Sequence, residues 1–243
     1  LFARLIAAGF EITIKNHAGA IFSVDFSPEA AEIETALIEM KIPVEELVAS
    51  GGGEAKSTQR LRKRLYEGGW QKHNFHFEQR IDGIAQVSIT HEIDHIRRSA
   101  GGVIALEIEW NNKDPFFDRD LENFHRLHAQ SAISMGAIIT RGSGMQAAMG
   151  GLVERCLIKH GVVDEDGLKA FEMKDRTARQ REIVTKLTAA GMDYPAAFAK
   201  QFVADKFGTA TTHWGKLEER VQRGVGNPCP LLLIGLPLSI VVE

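Results

Sequence analysis

The sequence predicts an α/β fold, a central mixed β-sheet flanked by helices. Short apolar, β-branched runs at 103–110, 137–140 and 230–236 read as buried strands. Segments with helical periodicity or helix-start signals fall between the strands, so the two element types alternate through the middle of the chain. Hydrophobic residues make up 44% of the 243 positions, enough for a proper core.

Taken in order, residues 11–15 and 20–26 alternate around Asn16-His17-Ala18-Gly19 and predict a β-hairpin. Ser27-Pro28-Glu29 combines a cap, a Pro at the first position and an acid in the first turn, predicting a helix to about Met40. Pro43 opens a second, short helix, and Ser50-Gly51-Gly52-Gly53 is a break. The helix expected from Glu54 to Tyr66 places Leu61 and Leu65 on its apolar side and Lys56, Arg60, Arg62, Lys63 and Arg64 elsewhere. Such a run is either a solvated face or a phosphate-contacting one. Gly68-Gly69 ends this helix. Alternation at 75–81 and 85–90 around Asp82-Gly83 predicts a second hairpin. Asp118 is placed to cap a helix over roughly 119–133, with Leu121, Phe124 and Leu127 on its apolar side and His125 and His128 at the surface. The strand at 137–140 runs into Arg141-Gly142-Ser143-Gly144, read as a small-residue loop. Residues at about 160–208 look helical and connective, 209–213 form a polar loop, and Trp214 to Gln222 is a helix before the last strand. No internal repeat or low-complexity linker divides the sequence, so a single domain over 1–243 is expected.

The net charge of −3 lacks a whole-chain basic signature for nucleic acid, but local clustering sets the field near a cleft. The longest apolar stretch, 230–242, is interrupted by Gly235 and Pro237 and falls short of a membrane span. No signal peptide is recognisable, and Cys156 and Cys229 have no metal-like spacing. Both observations lead to the expectation of a reducing cytoplasm rather than a disulfide scaffold.

Two acids set the 103–110 strand apart. Glu107 and Glu109 stand at period two and so face the same way. Burying like charges is costly unless a metal ion, a basic partner or an open cleft relieves them. Asp94 lies a short gap upstream, where an Asp at one strand's edge can sit beside the acids of its neighbour. Three convergent carboxylates suit a hard divalent cation such as Mg²⁺. The plain alternative is two surface-facing acids on a half-exposed strand. A second pattern overlaps the first: His91-Glu92-Ile93-Asp94-His95 matches H-E-x-x-H, which on a helix would hold zinc and make a metalloprotease. The strand-like residues before it, and the lack of an obvious third ligand after it, weigh against that reading.

Asp94, the short gap and Glu107-Ile108-Glu109 resemble the PD-(D/E)XK nuclease signature, in the form where Glu replaces the final Lys. The run Trp110-Asn111-Asn112-Lys113-Asp114-Pro115-Phe116-Phe117-Asp118-Arg119-Asp120-Leu121 is similar to the block that follows the catalytic strand in BglII/BamHI-like type II restriction endonucleases. Gly69-Trp70, Ile81-Asp82-Gly83 and Asn227-Pro228-Cys229-Pro230 are similar too, and the resemblance spans roughly residues 50 to 236.

The resemblance implies a restriction-endonuclease-like core and Mg²⁺-dependent hydrolysis of double-stranded DNA by a homodimer at a short palindrome. It suggests a six-base site with a central GATC, and a cognate methyltransferase that protects host DNA. It further implies that Asp94, Glu107 and the Ile108 carbonyl hold one or two Mg²⁺ ions. Glu109 would position or deprotonate the attacking water, with Glu54 as a further contact. Forked polar groups read bases in the major groove. Asn111, Asn112, Lys113, Arg141, Ser143, Thr211, Thr212, His213 and Lys216 lie at strand and helix ends on one edge and form the candidate reading set. Arg119 has a rival role, pairing with Asp118, Asp120 or Glu122. A DNA-binding protein without cleavage is the remaining alternative.

Overall fold

The computed structural model describes residues 1–49, 53–173 and 176–243. Its strands are β1 (Glu11–Lys15), β2 (Ile42–Pro43), β3 (Gln71–Ile81), β4 (Ile84–Ser99), β5 (Gly102–Glu109), β6 (Met135–Arg141), β7 (Leu231–Leu236) and β8 (Val241–Val242). Its α-helices are α1 (Ala3–Ala7), α2 (Ala18–Val24), α3 (Ser27–Ile38), α4 (Val44–Val48), α5 (Lys56–Glu67), α6 (Pro115–Ala129), α7 (Ser143–Lys159), α8 (Ala178–Ala189), α9 (Tyr194–Lys206) and α10 (Trp214–Gln222). Six strands form one mixed sheet in the order β1-β7-β6-β5-β4-β3, while β2 and β8 form a separate short pair. β5, β6 and β7 are parallel; β1, β4 and β3 join antiparallel.

Alternation along β5 divides the interior in two. Ile104, Leu106 and Ile108 pack with residues of α3, α5, α7 and α9, whereas Ala105 packs with Phe117, Leu121 and Phe124 of α6 and Leu217 of α10. Glu107 and Glu109 share the parity of Ala105, so they point toward the α6 side. A Cβ at Gly136 of β6 would lie 2.3 Å from the Phe124 ring, so only glycine lets α6 approach the sheet this closely. Among the described residues no helix is long and apolar enough to cross a membrane.

Several expectations need correction. Residues 11–26 are not a hairpin: β1 pairs with β7, from Glu11↔Gly235 to Lys15↔Leu231, and residues 18–24 are helical. Ala18 and Phe22, one helical turn apart, are both fully buried, and that burial outweighs the local alternation. The small-residue loop at 141–144 is the entry to α7, a 17-residue helix. Met145, Met149, Leu152, Val153 and Cys156 bury its inner face and overcome the low propensity of its glycines. α6 starts at Pro115 rather than near 119, with Asp114 in the cap position. The expected break at Ser50 to Gly52 lies outside the described residues. The helical content expected at about 160–208 is present, as a short 3-10 helix (Asp166–Phe171) followed by α8 and α9.

Candidate active site

The site begins with a β-bulge. β3 and β4 pair His73 with Ile93 but Gln71 with Ile96, so β4 carries one extra residue at Asp94–His95. A bulge resets the facing of the strand that contains it. Ile93 and Ile96 therefore both enter the α6-side core, and Asp94 and His95 both line a cleft on the α5 side. That cleft encloses about 440 Å³, and Glu54, Arg62, Tyr66, Lys72, Ile108, Asn111 and Asn112 complete most of its wall.

The same bulge overturns the zinc reading. His91 faces a cavity with Phe75, His125 and Leu127, while His95 lies beside the Tyr66 ring at a centroid distance of 5.6 Å. The two imidazoles stand on opposite sides of the sheet and cannot share an ion. Burial pushes His95 down to about 4, so it is a neutral packing residue.

The ladder between β4 and β5 stops at His95↔Leu106. Just beyond that point the Asp94 backbone N–H donates to Glu107 Oε2 at 3.4 Å, in the place of the next ladder bond. Glu107 is buried, whereas the Asp94 side chain is half exposed, 4.0 Å from Lys72 Nζ. Glu54, expected beside this strand, does reach the cleft. It pairs with Arg62 at 2.8 Å, and burial, opposed by Arg62, raises its carboxyl above the usual range, with Asp94 adding to the rise.

A further acid, absent from the expected set, joins the cluster. Asp120 of α6 is fully buried against β5. It lies within hydrogen-bond reach of Glu109, whose carboxyl burial and the Asp120 charge push up to about 8. Glu107 is raised as well, first by burial and then by Asp120, Asp94 and Glu109. Arg119 is the cation that pairs with the two inner acids, contacting Asp120 at 2.8 Å and Glu109 at 3.6 Å. Of its three rival partners it therefore takes Asp120. Asp120 was legible in principle: it falls at i+3 from Phe117 on the stripe Phe117, Leu121, Phe124, a core position occupied by an acid.

These donors fit a divalent cation. They are hard oxygens, their mutual repulsion raises their proton affinities, and Asp120 Oδ2 is buried without a hydrogen-bond partner. As the side chains stand, Asp94 lines the α5-side cleft while Glu107 and Glu109 point toward α6, and the three do not all bring an oxygen within 4.8 Å of one another.

The three expected groups of DNA-facing residues divide. The 111–113 and 209–213 segments meet: Thr212 N–H donates to Asn112 O at 2.8 Å, Asp114 N–H donates to Ala210 O at 3.0 Å, and Lys113 bridges Thr211. Asn112 also donates its side-chain amide to Glu109 Oε2 at 2.8 Å, which links this rim to the acid cluster. Lys216 is half-buried near Asp114 and His213 is partly buried. Arg141 is not a surface reader. It is fully buried over the Phe207 ring and donates to Thr211 Oγ1 at 2.8 Å and to Thr212 O at 2.7 Å, so it holds the loop from beneath. The Thr212 side chain is likewise buried, and only its backbone serves the rim. Ser143 opens α7, where its N–H and hydroxyl are both taken by Glu11.

The basic helix α5 is largely paired. Arg60 binds Glu46, Arg62 binds Glu54, Lys63 lies 4.0 Å from Glu67, and Arg64 binds Glu39. Of these cations, Arg62 faces the cleft.

The family model described as "Restriction endonuclease BglII/BglIII" matches residues 10–236 of the chain. A search of curated proteins returns no match.

Proposed function

Because the chain belongs to the BglII/BglIII family of restriction endonucleases, we propose that its carboxylate cluster is the centre that hydrolyses the phosphodiester. Membership makes the chain a site-specific deoxyribonuclease, a type II enzyme acting on double-stranded DNA. The observation that carries the assignment is the meeting of Asp94 with buried Glu107 where β4 and β5 stop pairing.

In this reading Asp94, Glu107 and the Ile108 carbonyl hold Mg²⁺, with one or two ions per site. The bound ion supplies positive charge to the developing oxyanion and acidifies a water. Glu109 takes the proton of the attacking water, and the neighbouring Asp120 sets how readily it does so. Asn112 holds Glu109 in register and Glu54 contacts the cleft from α5. Asn111, Asn112, Lys113, His213 and Lys216 face the bases, while Arg141, Thr212 and Ser143 position that rim. A homodimer places one such site on each strand of a palindrome, whose symmetry the dimer axis matches. The resemblance in the block after the catalytic strand favours a six-base site containing GATC. The enzyme then acts in the cytoplasm beside a methyltransferase that protects host DNA.

The test is a plasmid digest with Mg²⁺ followed by run-off sequencing of the ends. Discrete ends at one palindrome are expected. An uncut plasmid that is still bound would instead indicate a DNA-binding protein on a nuclease-like core.

A further inference from the structure

A different donor set lies outside the cleft, at the C-terminal end of α7. Cys156 and His160 stand four residues apart and so share one face of the helix. Glu45 reaches them from α4, which packs on α7. One ligand atom from each residue falls within 4.8 Å of the other two, and among the described residues this is the one three-donor set so close. His160 Nε2 lies 3.8 Å from Glu45 Oε1, while Cys156 Sγ lies 3.9 Å from Nδ1, the ring nitrogen on the Cys156 side. In a tetrahedral site with metal–ligand bonds of about 2.0–2.3 Å, neighbouring donors stand roughly 3.5 Å apart, so a small side-chain adjustment closes the set.

The ring of His160 is oriented for this role. Nδ1 donates to the Cys156 carbonyl at 2.9 Å, which leaves Nε2 as the free nitrogen on the Glu45 side. Phe171 packs edge-on against the ring at a centroid distance of 5.1 Å. Cys156 is buried, Glu45 is half-buried and His160 is exposed, giving an ion a way in. The cation that competes is Lys159, 4.0 Å from the same Glu45 oxygen. None of the three residues lines the cleft, so this cluster shares no ligand with the acid site.

We propose that Glu45, Cys156 and His160 form a structural metal site for Zn²⁺ or a similar borderline-soft divalent ion, tying α4 to the end of α7. Thiolate, imidazole and carboxylate select such an ion over Mg²⁺, which prefers oxygen alone. Cys156 gives its thiol proton to solvent on binding, and water takes the fourth position.

The test is a Co²⁺ titration of the metal-stripped full-length protein with Mg²⁺ in excess. One Co²⁺ per chain is expected, with tetrahedral visible bands and an intense thiolate-to-cobalt charge-transfer band that Zn²⁺ abolishes. Cys156→Ser should lose the charge-transfer band and Glu107→Ala should keep it. Absence of the band in the wild-type protein, or its survival in Cys156→Ser, overturns the proposal. If Cys156→Ser does not fold, His160→Gln and Glu45→Gln serve instead. Each should weaken Co²⁺ binding about tenfold or more, and unchanged affinity in both overturns it.

Discussion

Asp120 on α6 and Glu109 on β5 meet as a buried carboxyl pair, and a single guanidinium, that of Arg119, contacts both. The pair joins α6 to β5. It also concentrates negative charge where the structure supplies little to balance it.

Asp120→Asn should therefore act oppositely with and without metal. In chelator, removing one repelling charge should stabilise the protein by about 1 kcal/mol, the size of one pKa unit of relief. In Mg²⁺ that gain should vanish and single-turnover cleavage should fall by about tenfold or more. Thermal denaturation in the two buffers checks the first part; a lower melting temperature in chelator would contradict it.

Arg62 and Arg64 separate the solvated and DNA-facing readings of α5. Arg62 lines the cleft, whereas Arg64 pairs with Glu39 elsewhere on the helix. Arg62→Ala should weaken DNA binding across all sequences and lower the salt slope by about one. Arg64→Ala should leave both unchanged. Equilibrium binding over a salt series measures the difference, and equal effects from the two would remove the cleft as the DNA track.

Arg141→Met should loosen the 209–213 loop without touching the acids. Two charge-assisted hydrogen bonds disappear, offset in part because a buried cation is no longer desolvated. We expect a net loss of roughly 2 kcal/mol and faster proteolysis near Thr211. Unchanged proteolysis would show that the loop holds itself.

Lys206 gives a pH dependence of known sign. Its ammonium donates to Leu47 O at 3.2 Å and Ala49 O at 2.7 Å, and burial pushes it down to about 8. The unfolded chain keeps its lysine near the usual 10.5, so between about 8 and 10.5 the unfolded state binds more protons. Stability should rise with pH across that window, by at most about 3 kcal/mol, and Lys206→Met should lack that component. Denaturant melts of both proteins at pH 8 and 10 measure it; equal slopes would contradict the shift.

The sequence showed those parts of the molecule whose cause is local. The acids of β5, the helix Trp214–Gln222 and the last strand follow from alternation, periodicity and turn residues close at hand. The errors have non-local causes. Residues 11–15 alternate as a strand whatever their partner, and only the fold brings β7 to them. α7 carries Gly144, Gly150 and Gly151 and becomes a helix because its apolar face is buried. The bulge at Asp94 depends on register with β3, which the residues of β4 do not encode. It puts His95 on the opposite side of the sheet from His91 and so rules out a shared zinc.

The most direct measurement pairs cleavage with binding in Glu107→Ala. The carboxylate beneath Asp94 is expected to act on the chemistry and not on recognition. Single-turnover cleavage of a plasmid in Mg²⁺ should fall by at least about a thousandfold, while specific DNA affinity stays within severalfold of wild type. Cleavage at the wild-type rate by Glu107→Ala would contradict the account.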